Sequence, residues 1–234
     1  MIRKIRDLKL KFYLARKKFY RSFQNKEDSE MEAQRKRAKE MALPEIKQKV
    51  KEYYYKLRFL EDIINQAKIN NNSKILDVGC GILTVLHFLP GVLKIGIDPL
   101  ADEYKKIYKY PLGLIIQKSY GEKLKYAKES FDVVFITNAL DHTKDPKQVI
   151  LEIWRVLKNK GYLVLTNGLV EKKHKRSRAH PHNLVESDIL KLLSDKFKII
   201  FKRYSQWPWI RKYYLDQVYS DNKKLKEIII LAQK

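Results

Sequence analysis

Two glycines separated by one residue, Gly79 and Gly81, follow directly after the apolar run 75–78. Because glycine has no Cβ atom, the backbone there can approach a ligand closely, and N–H groups at the start of a following helix would point toward that ligand. Asp98 lies 21 residues beyond Asp77, at the end of the next apolar run. A carboxylate at that place accepts hydrogen bonds from ribose hydroxyls, so the spacing predicts a loop that binds a nucleoside-containing cofactor.

Asp77 and Thr84 bear on which kind of cofactor this loop binds. A nicotinamide dinucleotide site needs a third glycine, in the pattern G-x-G-x-x-G, so that the pyrophosphate can rest on the helix N-terminus. Thr84 occupies that third position. Asp77 lies just ahead of the glycines, and a carboxylate there suits a cationic ligand better than a pyrophosphate. The residues therefore favour a cationic cofactor over a dinucleotide, and a tight turn without a ligand is the remaining alternative.

Histidines follow the fourth and fifth of the apolar runs given below, in the region where a substrate would lie. His142, His180 and His182 are the candidate catalytic bases, because a neutral imidazole can remove a proton from a hydroxyl or an amine. The alternative is that His142 packs beneath the site and that the other two only shape a loop. The basic run 172–178 in the same loop suits an anionic substrate, or it is a solvated loop.

Seven short runs rich in Val, Ile, Leu and Phe predict β-strands, and helical stretches such as 146–157 separate most of them. Strands that are buried on both faces are typically continuous apolar runs, so this alternation predicts an α/β fold with a doubly wound parallel sheet. The predicted strands are residues 74–78, 93–97, 114–117, 131–137, 162–166, 197–203 and 227–231.

Apolar residues at spacings of three and four predict three helices before the first strand. The first covers residues 2–23, a short charged helix follows at 30–42, and the third covers 44–67. These boundaries divide the chain into a basic helical extension, residues 1–43, and an α/β domain, residues 44–234.

The helix predicted at 2–23 has a basic face opposite its apolar stripe. Ten of the first 26 residues are Lys or Arg and one is acidic. This composition is typical of a helix that lies on an anionic surface, which gives one hypothesis: peripheral contact with a membrane or another polyanion. The alternative is that Phe12, Phe19 and Phe23 pack onto the domain as core anchors.

Composition limits the environment in which the chain is expected to work. Fifty Lys and Arg against 27 Asp and Glu give a formal net charge of +23, which favours association with polyanions, although a Lys-rich composition also arises from an AT-rich genome or a hot habitat. Cys80 is the only cysteine, so an intramolecular disulfide is impossible and a cytoplasmic location is expected. No apolar run reaches the roughly 18 residues that span a bilayer, and no signal-peptide run is present, so neither a membrane span nor export by that route is expected.

Several motifs, in order and at matching spacing over residues 73–168, resemble those of class I S-adenosylmethionine-dependent methyltransferases. They are residues 75–81 (ILDVGCG), 96–98 (GID), 131–135 (FDVVF), 145–146 (DP) and 152–161 (EIWRVLKNKG). The resemblance implies a Rossmann-like sheet of seven strands in the order 3-2-1-4-5-7-6. It also implies S-adenosylmethionine as the cofactor.

The resemblance assigns eight residues of this chain to that cofactor. They are Asp77, Gly79, Gly81 and Asn138 for the methionine part, Asp98 for the ribose, and Pro99, Leu100 and Glu122 for the adenine. Three features depart from the family pattern. Leu83 stands where many relatives have a small residue, Tyr120 where an aspartate is frequent, and Lys125 and Asn159 where prolines are usual. No metal ion is expected at the site.

Substrate identity lies outside the cofactor motifs. Residues 137–140 follow the fourth strand in place of an N/D-P-P-Y/F motif, which disfavours methylation of nucleobase amino groups in that style, and cytosine C5 methylation needs a nucleophilic cysteine outside the cofactor loop. We therefore predict a methyltransferase that acts on a small molecule or on a glycan or lipid-linked precursor. The alternatives are an RNA methyltransferase and a non-catalytic, cofactor-binding partner subunit.

Overall fold

The computed structural model describes residues 26–169, 181–206 and 226–234 of the chain. The α-helices in these ranges are α1 (Lys26–Met41), α2 (Pro44–Leu57), α3 (Leu60–Gln66), α4 (Ala101–Ile107), α5 (Pro146–Val156) and α6 (Glu186–Leu193). The strands are β1 (Lys74–Val78), β2 (Leu93–Asp98), β3 (Leu114–Lys118), β4 (Phe131–Thr137), β5 (Leu157–Gly168), β6 (Lys198–Gln206) and β7 (Lys226–Gln233). Short 3₁₀ turns cover Val85–Phe88 and Leu140–His142.

The strands form one sheet in the order β3-β2-β1-β4-β5-β7-β6. Neighbouring strands from β3 to β5 are parallel, whereas β7 is antiparallel to both β5 and β6. The prediction of a Rossmann-like doubly wound sheet is therefore confirmed, and so is the strand order that the family resemblance implied.

The strands are apolar along their length because both faces of the sheet are covered. Ile75 and Leu76 are neighbours on β1, and both are fully buried in separate apolar clusters. Leu76 shares its cluster with Ile153 of α5 and Ile189 of α6, while Ile75 shares the other cluster with Ile63 of α3. Burial of alternate side chains on opposite faces explains why these strands are continuous apolar runs rather than alternating ones.

The carboxyl ends of the parallel strands meet at one edge of the sheet. β7 runs in the opposite direction, so its first residues lie at that same edge, where Glu227 is in register with Gly168. The strand order places the end of β1 between the ends of β2 and β4. Asp98, Asp77 and Asn138, which close or follow these three strands, are therefore brought to the same edge.

One predicted helix is wrong in its extent. Residues 44–67 form two helices, α2 and α3, because the chain turns at Arg58 and Phe59. Phe59 has a positive φ of 54°, which is outside the helical region and ends the regular hydrogen-bond pattern. The Arg58 side chain turns inward to Glu227 on β7, so a long-range ion pair accompanies the break.

Helix α1 packs on the α/β domain rather than standing apart from it. Met31 and Ala38 of α1 are buried with Ile82 and with Tyr104 of α4 in one apolar cluster. The proposed boundary between an extension and a domain at residue 43 stays a prediction. The helix predicted at 2–23 lies outside the described residues, and so does any membrane contact made through it.

Among the helices within the described ranges, none combines the length and the apolar composition needed to cross a bilayer.

Candidate active site

The glycine loop connects β1 to the 3₁₀ turn Val85–Phe88 and crosses over the end of β2. The N–H groups of Gly79 and Cys80 both donate to the carbonyl of Ile97, at 2.8 and 3.0 Å. Gly79 and Gly81 have positive φ angles of 70° and 52°, which favour glycine. A Cβ atom at Gly79 would lie 2.4 Å from the Cβ of Ala139, so this glycine allows the loop after β4 to pack directly on the cofactor loop.

Thr84 fixes the end of this loop and binds Asp77. Its hydroxyl donates to Oδ2 of Asp77 at 2.6 Å and accepts from the N–H of Leu86 at 3.2 Å. The helix expected after the loop is only the single turn Val85–Phe88. It ends at Phe88. The next residue, Leu89, has extended backbone because Pro90 follows and disfavours the helical region there.

Asp77 is a buried acid with one oxygen unused by its neighbours. Its carboxylate is fully buried, and Oδ1 has no hydrogen-bond partner among the described residues. Burial raises the pKa of Asp77 to about 7, against the opposing effects of the Thr84 hydrogen bond and the Arg58 charge. A cationic group placed beside this oxygen would gain a charged hydrogen-bond acceptor in a site shielded from water.

Asp98 joins the glycine loop to the turn after β2. Its Oδ2 accepts from the N–H of Gly81 at 3.2 Å, and its Oδ1 accepts from the N–H of Leu100 at 2.9 Å. Pro99 and Leu100 form the turn that leads into α4. Asp98 thus holds both loops at the end of β2.

Glu122 faces the loop between β4 and α5. Its Oε1 accepts from the N–H of Lys144 at 2.7 Å and from that of Asp145 at 3.4 Å. The Lys144 ammonium lies 5.9 Å from the ring centroid of Tyr120, a residue that is about half exposed. The segment assigned to the adenine border is therefore tied to the loop that precedes α5.

Asn138 follows β4 in the left-handed region, with a φ of 50°. Its Nδ2 donates to Oε1 of Glu227 at 2.7 Å, and its Oδ1 accepts from the N–H of Gly168 at 3.0 Å. Its own N–H donates to the carbonyl of Thr166 at 2.9 Å. Both ends of the Asn138 amide are thus held by residues of β5 and β7.

Glu227 is the centre of a buried polar network that the sequence did not indicate. The carboxylate is fully buried and makes two hydrogen bonds with the Arg58 guanidinium, at 2.7 and 3.2 Å. It also accepts from the hydroxyls of Ser205 at 3.1 Å and Tyr53 at 3.3 Å. The Arg58 guanidinium lies 4.9 Å from the ring centroids of both Tyr53 and Tyr54.

This network keeps the Arg58 guanidinium charged despite its burial. Burial disfavours the charged guanidinium, but Glu227 and the neighbouring tyrosines outweigh that effect and raise the pKa of Arg58 above its ordinary value. Burial raises the pKa of Tyr54 to about 12, so this phenol stays neutral. In the sequence, the available signal was weak: an acid at the start of the apolar run 227–231, with no neighbour in the chain to pair it.

Gln34 of α1 is a second residue that the sequence did not indicate. Its Oε1 accepts from the N–H of Ile82 at 3.1 Å, and its Nε2 would lie 3.0 Å from a Cβ atom at Gly81. The side chain is buried against the glycine loop. Helix α1 thus covers the loop, a role that the assignment of residues 1–43 to an extension did not foresee.

The structure brings two of the three candidate histidines to adjoining loops. His142 ends the turn Leu140–His142, and its Nε2 lies 3.9 Å from Oδ1 of Asp141. His182 donates its backbone N–H to the carbonyl of Asp141 at 3.4 Å, and its Nε2 lies 3.2 Å from the carbonyl oxygen of Lys144. His180 and the basic run 172–178 lie outside the described residues, so their roles stay predictions.

Residues 76–165 match the sequence model of a family described as a methyltransferase domain. The matched segment includes the glycine loop, Asp98, Asn138 and most of β1 to β5.

Curated relatives include proteins that are named as methyltransferases. The tRNA U34 carboxymethyltransferase of Helicobacter pylori is 29% identical over 126 residues, 47% of this chain and 46% of that protein. The Bacillus subtilis protein YcgJ, named as an uncharacterized methyltransferase, is 29% identical over 112 residues, 45% of this chain and 44% of that protein. The chain spans about half the length of the curated relatives it matches.

Solved structures share the fold. The crystal structure of YcgJ superposes with a TM-score of 0.54 at 20% identity and covers 75% of this chain and 97% of that one. A SAM-dependent methyltransferase structure from Methanosarcina mazei superposes with a TM-score of 0.54 at 20% identity and covers 74% of this chain and 96% of that one.

Proposed function

We propose that this chain is a class I S-adenosylmethionine-dependent methyltransferase and that it transfers a methyl group to a small molecule or to a glycan or lipid-linked precursor. The observation that carries the proposal is Asp77. This buried carboxylate has an oxygen with no hydrogen-bond partner among the described residues, and it lies beside the glycine loop at the same edge of the sheet as Asp98. When bound, S-adenosylmethionine supplies a methyl group that its sulfonium has already activated.

The residues present fit this cofactor. Its α-amino group is a cation that can donate hydrogen bonds to the Asp77 carboxylate. Its ribose has two hydroxyls that can donate hydrogen bonds to the Asp98 carboxylate. Gly79 and Gly81 leave the backbone bare where the ligand would pass between these two acids. A dinucleotide fits less well, because a pyrophosphate would meet the Asp77 carboxylate where it needs N–H donors.

The protein's contribution to the reaction is positioning and removal of a proton. A nucleophile gains rate chiefly by being held in line and close to the methyl carbon. The loops after β4 and β5 leave the same edge of the sheet as the glycine loop. Ligands of open α/β sheets bind at this edge, outside the carboxyl ends of the strands. His142 and His182 lie on these loops and are the groups proposed to take the proton of a hydroxyl or amine acceptor.

Turnover tests this proposal. The full chain is incubated with methyl-tritiated S-adenosylmethionine and fractions of small molecules, glycans and lipids, and formation of S-adenosylhomocysteine is followed. We expect product that depends on one fraction, and a strong loss of product in Asp98→Ala at limiting cofactor. Asp102→Ala, an exposed acid on α4, is the matched control that should retain activity. Binding of the cofactor without turnover in any fraction would instead support a non-catalytic partner subunit.

RNA is a second candidate acceptor, and the charge of the chain favours it. The net charge of +23 favours association with polyanions, and the name of the Helicobacter pylori relative points the same way. Tritium incorporated into total RNA, and absent from the other fractions, would select this candidate.

A further inference from the structure

We infer that Glu227 is a positioning residue, which fixes the Asn138 side chain at the amino-acid end of the cofactor site. The inference rests on the proposed function, because it assumes that S-adenosylmethionine binds along the edge formed by β2, β1 and β4. It assigns a role to a buried ion pair that the cofactor motifs do not include.

The strand order places Asn138 at one end of this site. A ligand whose ribose is held by Asp98, at the end of β2, must cross the glycine loop after β1 and reach the loop after β4. Ala139 packs against Gly79, so the loop after β4 contacts the glycine loop directly. The part of the ligand that extends beyond the ribose, its amino acid, therefore ends beside Asn138.

Glu227 and the Gly168 N–H together determine which way the Asn138 amide faces. The two ends of an amide have nearly the same shape, so its orientation is set by the partners it meets. An ionised carboxylate only accepts hydrogen bonds and a backbone N–H only donates, which gives the amide one orientation: Nδ2 toward Glu227 and Oδ1 toward Gly168. If position 227 could donate as well as accept, the Gly168 N–H would be the one remaining partner of these two that favours this orientation, and the amide would be held less firmly.

Arg58 holds the Glu227 carboxylate in place. The two hydrogen bonds from the guanidinium give the buried acid a charged donor on both of its oxygens. A buried ion pair contributes little to stability compared with apolar residues of the same volume, so we assign its value here to geometry. Because Arg58 lies between α2 and α3, the pair also ties the turn between these two helices to the start of β7.

Two ligands separate positioning from general stability. S-adenosylhomocysteine carries the amino acid part, whereas 5′-methylthioadenosine has the same adenosine and thioether without it. Calorimetry of the full chain gives the dissociation constant of each ligand for wild type, Glu227→Gln, Asn138→Ala and Ser205→Ala. Asn138→Ala leaves the buried ion pair intact, and Ser205→Ala removes one donor from Glu227 without touching Asn138.

We expect Glu227→Gln and Asn138→Ala each to weaken S-adenosylhomocysteine binding by roughly tenfold and methylthioadenosine binding by less than about twofold. The double variant should lose no more than either single one, since both changes remove the same interaction. Ser205→Ala should keep the wild-type ratio of the two dissociation constants.

Three results would overturn the inference. The network would have a purely structural role if two results were found together. The first is that Glu227→Gln weakens the binding of both ligands equally or fails to fold, and the second is that Asn138→Ala keeps the wild-type ratio of the two dissociation constants. Additive losses in the double variant would mean that the two residues act separately. A wild-type chain that binds neither ligand would refute the proposed function itself, a failure distinct from the other two.

Discussion

Replacement of Asp77 by Asn should stabilise the cofactor-free protein at alkaline pH. Burial raises the pKa of this carboxyl from 3.8 to about 7, so the folded state binds a proton that the unfolded chain has already released. The stability that this proton provides is fully present below pH 3.8 and is lost as the pH rises to about 7. At 1.36 kcal/mol per pH unit, ionised Asp77 costs the fold roughly 4 kcal/mol above pH 7.

Asparagine has nearly the same shape, can still accept from Thr84, and does not ionise. The free energy of unfolding of Asp77→Asn should therefore exceed that of the wild type at pH 8. Between pH 5 and pH 8 the difference should grow by roughly 2 to 3 kcal/mol. Urea unfolding at pH 5, 6, 7 and 8 measures this, with the exposed Asp102→Asn as the control that should show no such trend. A variant that is less stable than the wild type at pH 8 would refute the assignment of Asp77 as an acid whose ionised form is destabilised by burial. A difference in unfolding free energy that does not depend on pH would refute it as well.

The remaining predictions concern the ligand and the chemistry. Asp98→Ala should weaken S-adenosylhomocysteine binding by about 1.5 to 3 kcal/mol in calorimetry, since the ribose hydroxyls lose a charged acceptor, and unchanged affinity would remove Asp98 as the ribose ligand. A chain that begins at Pro44 lacks α1 and should bind this ligand more weakly than the full chain, and Gln34→Ala should reproduce part of that loss. Equal affinities of the truncated and the full chain would show that α1 is dispensable for the site. Once an acceptor is found, His142→Ala or His182→Ala should lower the rate by roughly 10²- to 10⁴-fold at unchanged cofactor affinity, and near-normal rates in both would mean that proximity alone drives transfer.

The glycine loop could be predicted from the sequence because its determinants are local. Gly79 and Gly81 follow a strand within a few residues, and Asp98 ends the next strand at a spacing that one helical or loop crossover sets. The strands were predictable for a similar reason: each is a continuous apolar run, as a doubly covered parallel strand must be. Their order came from the family resemblance.

Contacts between distant parts of the chain could not be predicted in this way. Arg58 and Glu227 are 169 residues apart, and the break between α2 and α3 makes sense only once the two are paired. Gln34 likewise reaches Ile82 across 48 residues. Helical periodicity in the sequence continues through residue 58, because apolar spacing does not record a charged side chain whose partner lies on the last strand.

Cofactor identity is tested most directly by titrating the full chain with S-adenosylhomocysteine and, in parallel, with NAD. The buried Asp77 and the absent third glycine predict saturable heat for S-adenosylhomocysteine at one site and none for NAD. The affinity for S-adenosylhomocysteine should fall as the pH decreases below about 7, because Asp77 then takes up a proton and no longer pairs with the ligand's amino group. Binding of NAD with no response to S-adenosylhomocysteine would contradict the assignment of this chain as a methyltransferase.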